Sequence, residues 1–259
     1  MTDDEAREVY EKTKTQKSIA CGSFHDCYKI KHEKLKHSLA VLIMTTGYTP
    51  QKIKSTLALN KRIQRATNYV LSRGILTPEI HYSDIIDEKL VTIKEFVEGP
   101  PLYYRGTAAY DQRVVENFCR QNGMPMLGKA EDTGYIAGLI ESYNNMSAYD
   151  VAESEQEFFD NFYQEVLTTK KCKIEIDLNP DNYIKISKGL CIIDPVDCDF
   201  DGTEVPITNA MLDETHTQVS HILVPPTVYC SGKDTDLVND IRQIRHKCNI
   251  ASERLRANV

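Results

Sequence analysis

The segment I-E-I-D-L-N-P-D-N-Y-I-K-I-S-K-G-L-C-I-I-D-P-V-D, residues 174–197, constrains this chain more than any other. Two short apolar runs flank a Lys-Gly turn, the pattern of a small β-hairpin. Asp177 stands five residues before Asn182 on the way in, and Asp194 closes the second run. Carboxylate and amide oxygens at the ends of one small unit are hard donors. They suit Mg²⁺, which keeps several waters and shares the phosphates of a bound nucleotide.

The rest of the chain divides by pattern. A charged stretch over 3–16 predicts a peripheral helix, and 18–21 and 27–31 predict two short strands around C-G-S-F-H-D. Residues 39–44 form a continuous apolar run of strand length. Pro50 opens a helical pattern over 51–73 that Gly74 stops. Two strands, 79–85 and 90–97, follow around a D-E-K turn, and E-G-P-P at 98–101 breaks the chain. Beyond it, helices are expected over 108–121, 131–146 and 154–169, then the hairpin, an irregular stretch over 196–232, and a last helix over 235–256. Leu237, Ile241, Ile244 and Ile250 on that helix read as core. Strands gathered before residue 98 and helices after it predict an α+β fold: a small antiparallel-sheet part, 1–98, and a mainly helical part, 99–259.

The 174–197 segment resembles the catalytic and metal loops of the protein kinase-like superfamily, H-x-D-x-x-x-x-N followed by an apolar strand and D-F-G. On that resemblance Asp177 matches the base that accepts the acceptor's proton, and Asn182 and Asp194 match the Mg²⁺ ligands. Glu175 stands where the family has His, and Pro195-Val196 where it has Phe-Gly. I-A-C-G-S-F-H-D-C-Y-K resembles half of the family's glycine-rich loop, which makes Gly22 and Ser23 candidate phosphate contacts. The chain order is the family's two-lobe order over residues 18–200, with the break at 98–101 as the inter-lobe hinge. There the resemblance implies that Glu95, Phe96 and Val97 offer main-chain groups to adenine. The match is to compact members of phage, bacterial-effector and aminoglycoside-kinase type, since 65 residues follow Asp194 and no A-P-E occurs among them.

One family feature is missing. The third-strand lysine position falls on Leu42, and residues 37–51 contain no lysine. Its glutamate partner is missing too, because 51–73 contains neither Asp nor Glu; Gln51 and Gln64 are the nearest substitutes. Losing both halves of a buried ion pair is self-consistent, since one charge left alone is costly. Lys29 is the first candidate replacement, ahead of Lys31 and Lys94.

The resemblance implies an ATP- and Mg²⁺-dependent phosphotransferase acting on a protein. The alternatives are a pseudokinase that holds a protein partner, and a small-molecule kinase or nucleotidyl transferase on the same fold. Other classes lack support. A net charge of −7 without a basic block opposes nucleic acid as partner. No apolar run reaches the length of a membrane span, and the acidic N-terminus M-T-D-D-E lacks a secretory h-region. Eight cysteines without C-x-x-C read as free thiols in a reducing compartment, the cytoplasm or, for a secreted effector, the host cytosol. The seven histidines include no H-E-x-x-H, and neither G-x-S-x-G nor G-x-x-x-x-G-K-S/T is present. D-C-D-F-D-G at 197–202 mimics the start of a calcium loop, but Thr208 stands where the bidentate Glu belongs.

Overall fold

Seven-residue apolar alternation and one long amphipathic helix build the first half of the protein. The structure, a computed structural model, describes residues 1–21, 25–32, 37–44, 47–99, 102, 151–178, 182–186, 189–224 and 235–259. The expected helices over 108–121 and 131–146, together with Gly22, Ser23, Asn179 and Asp181, lie outside the described residues. The chain divides into two compact units. The first comprises Met1–Glu98, Leu167–Asp177 and Cys191–Ile207; the second comprises Gly99–Val166, Leu178–Leu190 and Thr208–Val259. The expected division kept the 174–197 segment whole. Here Asp177 and Asp194 belong to the first unit and Asn182 to the second.

The first unit holds helix α1 (Asp3–Thr13), strands β1 (Ala20–Cys21), β2 (His25–Lys31) and β3 (Ser38–Met44), helix α2 (Pro50–Ser72), and strands β4 (Ile80–Ile86) and β5 (Lys89–Glu95). The strands form one antiparallel sheet in the order β1-β2-β3-β5-β4. Three strands, a helix and two strands is the chain order that the kinase resemblance implied. Thr2 caps α1 in a reciprocal capping box with Glu5. Thr49 caps α2 with Pro50 as its first residue, where the missing N–H costs nothing.

Period-two alternation sorts the sheet into two faces. One face carries Ile30, Leu39, Val41, Ile43, Val91 and Ile93, which pack against Ala6, Val9 and Tyr10 of α1. The β4–β5 turn is a two-residue one, with Asp87 and Glu88 both at positive φ (48° and 63°), the backbone that matches strand twist in a tight hairpin. Arg7 of α1 and its C-cap residue Lys14 reach the Asp87 carboxylate at 2.9 and 3.4 Å. The opposite face receives α2 through Ile63, Ala66, Thr67 and Val70, an i, i+3, i+4, i+7 stripe.

Two further strands of this unit, β6 (Ile174–Ile176) and β9 (Pro195–Cys198), pair antiparallel. Between them in the chain run β7 (Tyr183–Ile186) and β8 (Gly189–Ile192), the expected hairpin. Strand β9 corrects the irregular reading of 196–232. So does helix α4 (Asn209–Leu223), which Thr208 caps and which buries Leu212, Thr215, Val219, Ile222 and Leu223.

In the second unit, α3 (Gln156–Lys171) supplies Phe159, Phe162 and Tyr163 to a core shared with Tyr183, Val219, Ile222 and α5 (Thr235–Ala257). The last turn of α3 counts with the first unit. Phe162 meets the Tyr183 ring edge-on at 5.6 Å. Lys247 of α5 donates to the carbonyls of Ala152 and Ser154 at 2.7 and 2.6 Å. Ile241 and Ile244 are core, as expected, and Ile250 is half-buried; the Leu237 side chain lies outside the described residues. Gly99 is tightly placed, since a Cβ there would collide with the Lys185 carbonyl oxygen and meet Ile184 Cγ2 at 2.8 Å. Gly99→Ala is therefore expected to cost about 2 kcal/mol in urea unfolding; an unchanged midpoint would contradict this packing.

Candidate functional site

Asp177 and Asp194 are related by the β6–β9 ribbon, not by the hairpin between them. Ile176, the last residue of β6, pairs with Pro195, the first residue of β9. The next residue on each strand at that end is Asp177 and Asp194. A register shift between Glu175 and Ile176 marks a bulge there, a common device for re-aiming side chains at the edge of a site. Two main-chain bonds fix the approach to Asp194. Ile192 N–H donates to Leu76 O at 2.8 Å, and the Ile193 carbonyl accepts from Lys94 Nζ at 2.6 Å.

Asp194 opens on a cleft within the first unit. The cleft encloses about 600 Å³ of unfilled space, the solvent at its mouth included. Its polar lining comprises His25, Asn60, Thr67, Thr77, Thr92, Lys94 and Asp194; Leu42, Ile63, Ile80 and Ile193 are among its apolar walls. Burial holds the His25 imidazole below its ordinary pKa; Asp194 opposes that shift and Lys94 adds to it. His25 is thus a neutral donor–acceptor at pH 7. Burial likewise pushes the Cys27 thiol up, which keeps it protonated.

Helix α2 is fastened to the sheet by the exposed Lys61–Asp84 ion pair at 2.9 Å and, beside the cleft, by neutral groups. Asn60 Nδ2 donates to Thr92 Oγ1 at 3.0 Å, and the Thr92 and Ser83 hydroxyls lie 3.0 Å apart. Gln64 Nε2 donates to Ile80 O at 2.8 Å. Gln64 had been picked out from the absence of acids on α2. Asn60 had not, although its i−3 spacing from buried Ile63 put it on the inner face.

Asp194 lines the cleft, and Asp177 does not, although it neighbours the Ile176–Pro195 pair. Asn182 begins the turn into β7 in the second unit. Lys29 is on the cleft face of β2 but is turned away from the lining: its Nζ binds Glu98 at 2.6 Å and sits 4.4 Å from the centre of the Phe96 ring. Lys94 on β5 is the lysine that lines the cleft. Glu95 and Phe96 spend their N–H groups on Glu79 O and Ser38 O, both at 2.9 Å. Val97 N–H has no main-chain partner among the described residues.

The acidic run after Asp194 is occupied by local contacts. Asp201 binds Lys173 at 2.8 Å and the Thr203 N–H and hydroxyl, which hold its carboxyl well below the usual range. Among the described residues, no three His, Cys, Asp or Glu side chains are grouped as a metal cage. A calcium loop therefore finds no support, whereas Mg²⁺ held with a nucleotide asks the protein for only one or two carboxylates. No described helix is long and apolar enough to cross a membrane.

No protein-family model and no curated protein sequence matches the chain. Among solved structures, the kinase domain of Mycobacterium tuberculosis PknI aligns over 94% of this chain and 94% of that one, at 11% identity and a TM-score of 0.40. A point mutant of the same domain aligns over 92% and 94%, at 11% identity and a TM-score of 0.41. Likeness at that level assigns no residue a role.

Proposed function

We propose that the protein is an ATP- and Mg²⁺-dependent phosphotransferase acting on an alcohol group, of atypical protein kinase type. The observation that carries this reading is the pairing of Ile176 with Pro195, which starts Asp177 and Asp194 from one end of a ribbon while Asp194 opens on the cleft. Asp194 would hold the metal, a hard-oxygen donor that fits Mg²⁺. Bound Mg²⁺ supplies neutralisation of phosphate charge. The main-chain groups of Glu95 and Val97 would take the base, and Gly22 and Ser23 would cover the phosphates.

The protein's own part in the transfer is positioning. Asp177 orients the acceptor hydroxyl and takes its proton as the acceptor oxygen bonds to the terminal phosphorus. The bond from that phosphorus to the bridging oxygen breaks, and a nucleoside diphosphate leaves. A protein acceptor is proposed because the resemblance is to compact effector and phage kinases.

Thermal unfolding with and without ATP and Mg²⁺ tests the reading. At a hundredfold excess over Kd the midpoint should rise by about 5 °C, and only when Mg²⁺ is present. No shift at millimolar nucleotide would remove the enzyme reading and leave a protein-binding module.

A further inference from the structure

The geometry points to Lys94 of β5 as the cation that binds the nucleotide's phosphates, in place of a lysine on β3; the inference rests on the nucleotide reading above. Leu42 occupies the family's lysine position and lines the cleft. In the sheet, Leu42 pairs with Thr92, and the flanking pair on the same face is Ala40 with Lys94. Period-two alternation therefore directs Lys94 onto the cleft face one cross-strand step away, past a residue small enough not to block it. The cleft lining bears this out.

The partner of Lys94 gives the argument its force. Its Nζ donates to a neutral carbonyl, Ile193 O, and no carboxylate among the described residues lies within ion-pair distance of it. A half-buried ammonium with no counter-anion among the described residues faces a cleft whose lining carries one carboxylate, Asp194, which follows the carbonyl that holds it. Two of its three protons remain for a ligand. A polyphosphate carrying Mg²⁺ on Asp194 supplies the missing negative charge. Lys29, by contrast, is already paired with Glu98.

The fastening of α2 fits the same picture. In an ion-paired arrangement one lysine both binds phosphate and holds the helix. Here Asn60, Gln64 and the Lys61–Asp84 ion pair hold the helix, and Lys94 is not among its fastenings.

Binding constants for ATP, ADP and adenosine, each with Mg²⁺, decide the matter on wild type, Lys94→Met, Lys94→Arg and Lys29→Met. Lys94→Met should weaken ATP and ADP by roughly tenfold or more, the scale of one charge-assisted hydrogen bond. Adenosine, which has no phosphate, should keep its affinity within about twofold, and Lys94→Arg should restore most of the loss. Equal losses for ATP and adenosine would mean that Lys94 only props the Ile193 carbonyl, and would overturn the proposal. So would an intact ATP affinity in Lys94→Met, or a phosphate-specific loss in Lys29→Met instead. If Lys94→Met fails to fold, Lys94→Gln, which keeps a donor for Ile193 O, gives the same readout. Absence of nucleotide binding by wild type overturns the nucleotide reading and this inference together; loss of the Lys94 effect alone overturns only the latter.

Discussion

Asp194→Ala is expected to lower phosphoryl transfer by at least about a hundredfold while leaving the unliganded protein folded. The rate estimate follows from removing a preorganised charge at the point where phosphate charge develops. The folding estimate follows from the contacts of the side chain. Asp194 is exposed, and its carboxylate makes no hydrogen bond or ion pair to a described residue. Its removal should therefore change stability by no more than about 0.5 kcal/mol. An exposed acid that bonds to no described side chain, and that follows two anchored main-chain groups, is positioned for something other than folding. Asp199→Ala removes the same charge five residues away and serves as the control. The measurement is transfer of labelled phosphate to protein or to an added alcohol, beside urea unfolding of both variants. Equal activity in the two would dissociate Asp194 from the chemistry, and a collapse of unliganded stability would assign it a structural role.

Glu165→Gln is expected to stabilise the protein at pH 8 and to flatten its stability profile between pH 4.5 and 8. Glu165 lies in α3, 8% exposed, and its Oε2 has no hydrogen-bond partner among the described residues. Burial alone pushes its carboxyl from the ordinary 4.5 up to about 8. Below pH 4.5 both the folded and the unfolded chain hold the proton, and the group costs little. Between 4.5 and 8 the fold retains a proton that the unfolded chain has released. Stability then falls by about 1.4 kcal/mol per pH unit as pH rises. Above 8 the fold carries a buried charge and the penalty levels off, on the order of 5 kcal/mol in all. His25, His81 and His216 are held low by burial and act in the opposite sense, losing stability as pH falls through their unfolded value of 6.5. The difference between wild type and variant isolates Glu165. Urea midpoints at pH 5, 6.5 and 8 measure it, and parallel profiles would show that Glu165 is not titrating inside the fold.

Much of the first unit was legible because its signals are local. Thr49-Pro50 announced the start of α2, and the D-E-K turn announced the β4–β5 hairpin. The Asp177–Asn182 and Asp194 spacing was likewise readable without coordinates. Helix α4 was equally legible and was missed. Thr208 is an ordinary cap, and 212, 215, 219 and 222 follow helical spacing, but three nearby prolines outweighed them in the reading.

The sequence by itself determined the α+β class, the division of strands and helices, the absence of acidic residues on α2, and the candidate residues for metal and phosphate. Each of these is written within a window of one or two turns, where periodicity, caps and breakers act. Only the tertiary structure decided how those residues are brought together. Strand β6 is three residues long and finds its partner β9 about twenty residues later. A segment that short has too few alternations to declare itself, and its pairing is enforced by burial of Ile174, Ile176 and Cys198, not by propensity. The choice between Lys29 and Lys94 is of the same kind. Alternation sets both on one sheet face, and the sequence could not separate them. A carboxylate at residue 98 and a carbonyl at residue 193 did, and neither is a neighbour of its lysine along the chain.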